Sequence, residues 1–138
     1  MAKNPRSRRW VFTINNPEDN GVPNPMWREL PQGAKYIAWQ RERGAQGTEH
    51  YQGWVVFTNP KRLSEVQGFF SFAGRRSGGH FEPQKATNDD DARNYVMKED
   101  TRIAGPWELG DKPHQGRSKA ATQAREQALK DIRGLRDG

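Results

Sequence analysis

The sequence predicts an α+β fold, a central antiparallel β-sheet flanked by helices, and three observations carry that expectation. Residues 36–42 and 50–57 both read as strands, and the glycine-containing loop between them suits an antiparallel hairpin. The helical signals, around Val66 and around Tyr95, fall between strands without the strict alternation that builds a parallel sheet. The chain has 138 residues, 32% hydrophobic and 29% charged, which gives apolar mass for one core and not for two. Five Trp, six Phe and three Tyr offset the low aliphatic content with large aromatic area.

Taken in order, residues 1–8 form a basic, polar arm. The first strand begins at Arg9, where Trp10, Phe12 and Ile14 alternate with Val11 and Thr13, and it stops at Asn15-Asn16-Pro17. The segment to Pro31 holds four prolines and a short possible helix near residues 26–30, and it returns the chain to the sheet. On the second strand, 36–42, Tyr36, Ala38, Gln40 and Glu42 share one face while Ile37 and Trp39 share the other. Residues 43–49, with Gly44 and Gly47, form the loop, and 50–57 is the third strand. Thr58-Asn59-Pro60 ends it and opens a helix through Leu63, Val66 and Phe69 or Phe70. A basic, flexible loop at 74–79 leads to a short strand at 80–82 that Pro83 terminates. Thr87 then starts a helix, with Asp90 as capping-box partner and three aspartates against the positive end of the helix dipole. That helix carries Tyr95, and an edge strand near Trp107 follows. Beyond Arg117, Ala121, Ala128, Leu129 and Ile132 mark a marginal, charged helix. The expected organisation is an arm at 1–8, one domain at 9–116 and a linker or marginal helix at 117–138.

Composition narrows the function. No stretch approaches the roughly 18–20 apolar residues of a membrane span, and the N-terminus lacks the apolar segment of a signal peptide, so a soluble, unsecreted protein without membrane partners is expected. The absence of Cys excludes disulfides, thiolate catalysis and thiolate zinc sites, leaving oxygen and imidazole as metal ligands. A net charge of +6 gathers at Lys3, Arg6, Arg8 and Arg9, at Lys61 and Arg62, at Arg75 and Arg76, and beyond Arg117. Such a field attracts polyanions, although charge alone serves equally as a solubilising surface.

Two constellations carry chemistry. On a regular third strand His50 and Gln52 point together, a polar pair where pure packing wants an apolar one. With Glu42 paired opposite His50, their side chains start about 5 Å apart at Cβ, and Gln40 lies beside Gln52. A carboxylate, an imidazole and an amide oxygen suit Mg²⁺ or Mn²⁺. The plain alternative is a hydrogen-bonded polar sheet face; His80 and Glu82 form a competing or supplementary pair. The second constellation is Tyr95 with Lys98 one turn later. Beside Ala92 and Val96, Tyr95 also reads as part of an apolar face, but the ammonium at i+3 can approach the phenol oxygen or a phosphate beside it. A free phenol is ionised about one part in a thousand at neutral pH, a deficit of roughly 4 kcal/mol, so a tyrosine nucleophile needs a cation and a lysine to stabilise developing charge.

Three segments in order resemble the motifs of a known family. Phe12-Thr13-Ile14-Asn15-Asn16 follows Arg9-Trp10-Val11; His50-Tyr51-Gln52-Gly53 follows Gly47-Thr48; Tyr95-Val96-Met97-Lys98 precedes Glu99; and Gly105-Pro106-Trp107 resembles the close of the domain. Together they resemble the replication initiators (Rep) of circovirus-like circular single-stranded DNA viruses, within the HUH endonucleases, over roughly residues 9–110. The resemblance implies an HUH endonuclease (RRM-like) fold, with a metal-binding sheet face meeting the helix that bears the catalytic tyrosine. It implies His50 and Gln52 as ligands of Mn²⁺ or Mg²⁺ with Glu42 as the acidic ligand, Gln40 its substitute and Glu99 a further one. It implies Tyr95 as nucleophile assisted by Lys98. The family's acidic ligand varies in position relative to the histidine.

Such proteins nick single-stranded DNA at a stem-loop origin, stay linked through a 5′-phosphotyrosine and later rejoin ends during rolling-circle replication in the host cell nucleus. Longer members continue into a helicase domain, through which they can form homo-oligomers. No P-loop pattern occurs here, so the expectation is a nuclease domain with part of a linker. Arg9, Asn15, Asn16, Arg75 and Arg76 are the expected DNA contacts. Two other classes compete. A non-catalytic single-strand binding module would use sheet aromatics for base stacking, and a coat-associated protein with a basic arm would leave His50, Gln52, Tyr95 and Lys98 without a role.

Overall fold

The computed structural model describes residues 6–84 and 89–112. Five strands form one antiparallel sheet in the order β6-β1-β3-β2-β7: β1 is Ser7–Asn15, β2 Ala34–Arg43, β3 Glu49–Lys61, β6 His80–Pro83 and β7 Arg102–Gly110. A two-stranded ribbon, β4 (Ser71–Phe72) with β5 (Arg75–Arg76), follows helix α1 (Leu63–Phe69), and helix α2 (Asp89–Val96) precedes β7. The α+β architecture expected from the sequence is the one observed.

The period-two pattern buries both faces of the sheet, each under a different cover. Trp10, Phe12, Ile14, Ile37, Trp39, Tyr51, Val55 and Phe57 form one apolar face against Val66 and Phe70 of the α1 region and Val22 and Met26 of the β1–β2 connection. Trp27 packs edge-on to Trp39, 6.2 Å between ring centroids. On the opposite face Tyr36, Ala38, Trp54 and Val56 meet Ala92 and Val96 of α2. Gly53 is required where the strands interlock, because a Cβ there would sit 2.1 Å from Cζ of Phe12 on the neighbouring strand.

The hairpin register is the expected one: Glu42 pairs with His50 and Gln40 with Gln52. Arg43 also pairs with Glu49, so the connection shortens to residues 44–48. Four local expectations need correction. β1 begins at Ser7, two residues early, because Ser7 pairs with Lys61 across an irregularity. That pairing carries β3 past Pro60, which therefore does not end the strand, and α1 starts one turn later behind Arg62 as N-cap. Residues 26–30 are not helical; a 3-10 turn at Glu18–Asn20 is the helical element of this proline-rich connection. The loop at 74–79 contains β5, held by pairing to β4. The capping role of Thr87 and the helix expected beyond Arg117 lie outside the described residues.

Candidate active site

Strand register places the polar cluster. Thr13 and Asn15 of β1 lie opposite Gln52 and His50, while Gln40 and Glu42 of β2 flank the same two residues on the other side. Odd positions of β1 and even positions of β2 and β3 all point to the face that α2 covers. His50 Nε2 lies 3.2 Å from Glu42 Oε1. The Gln40 amide nitrogen donates to Glu42 Oε2 at 2.8 Å and to the Lys98 carbonyl at 2.7 Å. The Thr13 hydroxyl donates to Gln52 Oε1 at 3.0 Å, which orients that amide.

Glu42 is 2% exposed. A carboxylate taken so far out of water needs compensation, and here it has one amide and one imidazole. Carboxylate, imidazole and amide oxygen fit a hard divalent ion such as Mg²⁺ or Mn²⁺. Among the described residues no three His, Cys, Asp or Glu side chains gather into a cage. The donor set therefore has two such groups and depends on Gln52 for a third.

Helix α2 lies over this face. Ala92 and Val96, four apart, bury themselves against the sheet, and Tyr95, about 100° around the helix from Val96, is 56% exposed. It is thus not part of the apolar face, the plain alternative its sequence position allowed. Tyr95 lines a cavity of about 350 Å³ together with Val11, Glu82, Pro83 and Ala92. Val11 is the inward-facing residue before Thr13, about 7 Å along β1, so the phenol lies on the same face as the Glu42–His50 cluster. The Lys98 ammonium sits 5.2 Å from the centre of the Tyr95 ring, within reach of its negative face.

Two forked ion pairs tie α2 to the sheet. Arg9 of β1 holds the buried Asp89 at 2.9 and 3.3 Å, and Arg93 of α2 holds Glu108 of β7 at 2.8 and 3.3 Å. Glu108 also accepts from the Tyr36 hydroxyl. Burial, reinforced by Glu108, pushes the Tyr36 phenol above its ordinary range, while Arg93 holds the Glu108 carboxyl below the usual one. These helix anchors were not foreseen, because partners 80 and 15 positions apart carry no local signal.

The remaining expected site residues are distributed as follows. Arg9, expected on DNA, is committed to Asp89. Asn15 and Asn16 are exposed at the end of β1, next to His50, and Asn16 adopts a positive φ of 46° that Asn tolerates. Arg75 and Arg76 are exposed on the ribbon; Arg75 donates to the Asp19 carbonyl at 3.2 Å. His80 and Glu82 meet each other at 3.2 Å on the edge strand, opposite Thr13 and Val11. Glu99 is exposed, 3.9 Å from Arg102, and does not join Glu42 and His50. On the far face Arg41 bridges Glu18 and Glu49, and Arg43 also reaches Glu49; hydrogen bonds from Arg43 and then Arg41 lower the Glu49 carboxyl.

Sheet order, covering helices and the polar row together define the HUH endonuclease (RRM-like) form of the α+β fold. The chain belongs to the family of viral replication proteins, whose family model matches residues 7–99. It is 44% identical over 101 residues to the master replication protein of Banana bunchy top virus, covering 73% of this chain and 30% of that protein. To the master replication protein of Milk vetch dwarf virus it is 39% identical over 105 residues, 74% of this chain and 31% of the relative. To the replication-associated protein of Beak and feather disease virus it is 41% identical over 93 residues, 67% and 29% of the two chains. The chain thus spans less than a third of the length of these relatives.

Proposed function

We propose that this chain is a site-specific single-stranded DNA nickase and strand-joining enzyme that starts rolling-circle replication. The observation that carries the reading is the exposed Tyr95 phenol on the same sheet face as Glu42, His50 and Gln52. The phenol oxygen attacks the scissile phosphorus, its proton passes to solvent, the bond from phosphorus to the 3′ oxygen breaks, and that oxygen takes a proton from solvent to leave as a 3′-hydroxyl. The 5′ phosphate stays esterified to Tyr95, which conserves the bond energy for rejoining when a 3′-hydroxyl attacks the ester. Lys98 beside the ring favours the anionic groups that gather there. Glu42, His50 and Gln52 would hold Mn²⁺ or Mg²⁺, which supplies charge stabilisation at the phosphate oxygens. Asn15, Asn16, Arg75 and Arg76 are the proposed DNA contacts, a stem-loop origin the proposed substrate and the host nucleus the proposed place of action.

The alternative of a stacking module loses its premise, since Trp10, Trp39, Trp54 and Phe12 are buried and Tyr95 is the one large aromatic exposed among the described residues. The test is an origin-like oligonucleotide with Mn²⁺, resolved on a denaturing gel. A slower covalent band is expected with the wild-type chain, none with Tyr95→Phe or in excess chelator, and Tyr95→Phe should still bind the DNA. An adduct that persists in Tyr95→Phe removes Tyr95 from the mechanism; DNA binding with no adduct under any metal condition makes the chain a binding module.

A further inference from the structure

We propose that Gln40 is a positioning residue that couples cation occupancy at Glu42 to the placement of the segment bearing Tyr95 and Lys98. The inference rests on the reading of Glu42 and His50 as a cation site. Gln40 is fully buried, and its one amide nitrogen uses both hydrogens: one on Glu42 Oε2 at 2.8 Å, the other on the Lys98 carbonyl at 2.7 Å. Both partners are pure acceptors, so the amide cannot be turned over without setting its oxygen against two oxygens. Among the described residues the amide oxygen is buried without a hydrogen-bond partner. Gln40 therefore serves as a double donor through its amide nitrogen.

The second carboxylate oxygen faces His50 at 3.2 Å, so a continuous chain of contacts runs from β3 through β2 to the turn after α2, where Lys98 reaches over the Tyr95 ring. A cation that draws charge from Glu42 weakens it as an acceptor and shifts the shared amide toward the Lys98 carbonyl. The same atoms that sense the cation thus set the backbone of the lysine that attends the nucleophile.

The experiment is a Mg²⁺ titration of the whole ¹⁵N-labelled chain by NMR, without DNA. Three signals are read: the His50 imidazole, the Gln40 side-chain amide, and the backbone amide of Glu99, which shares a peptide group with the Lys98 carbonyl. All three moving with one midpoint supports the coupling. If His50 moves while Gln40 and Glu99 stay still, the coupling is overturned and the cation site stands; if none moves, the cation site fails and takes the coupling with it. Gln40→Met keeps the length of the side chain and removes both donors. It should leave the His50 response intact, abolish that of Glu99, and lower the adduct rate at saturating Mn²⁺ and DNA about tenfold or more without weakening DNA binding. A merely structural role would lower thermal stability and leave the two responses linked. Should that variant not fold, the wild-type titration decides alone.

Discussion

At the scale of single residues, chemistry and packing are assigned by which face a side chain takes. His50, Gln52 and Glu42 were legible because strand period and hairpin register alone bring them together. The part played by Gln40 was not legible, since an amide offers a donor or an acceptor and only its neighbours decide which. Arg9 was misleading for a related reason: a basic residue beside an arm reads as a DNA contact until its partner at Asp89 is known. Gly53, quoted in the motif with His50 and Gln52, faces away from them and makes room for Phe12 of the first motif. Gly53→Ala is therefore expected to destabilise the fold by about 1–3 kcal/mol through overpacking, measured as a lower midpoint in urea. A midpoint unchanged from wild type would show that Phe12 can move aside.

Helix α2 carries the proposed nucleophile, and its eight residues make it short for a free-standing helix. Ala92 and Val96 supply a narrow apolar stripe; Arg9–Asp89 and Arg93–Glu108 hold its flanks. Because Asp89 is buried and Arg9 partly so, Asp89→Ala leaves a guanidinium without its partner and should cost about 3 kcal/mol. Thermal melts would detect this, and the adduct rate should fall with it. If the variant melts like wild type, the pair is not a structural anchor. The ribbon β4–β5 escaped the sequence reading because two-residue strands have no period to detect. The extension of β3 past Pro60 escaped because proline normally argues against a strand, and only pairing with Ser7 at an irregular edge accommodates it.

For the whole molecule, two-sided burial of the sheet places tyrosines where ionisation is unfavourable. Burial pushes the Tyr51 phenol up to about 12, and Tyr36 also lies above the ordinary value. A phenol with a raised folded-state value contributes stability that is complete below the unfolded value near 10 and is lost as pH climbs toward the folded value. Melting temperature should therefore fall steadily between about pH 10 and pH 12, as thermal scans in that window would check; a flat profile would mean both phenols ionise without opening the fold. The hairpin between β2 and β3 has a consequence of another kind. Its register is clamped at the base by Arg43 opposite Glu49, so whatever chain is threaded through residues 44–48 leaves Glu42 facing His50. Lineages are then free to lengthen or trim that tip, and the count of letters separating acid from histidine can drift while the two remain neighbours in space.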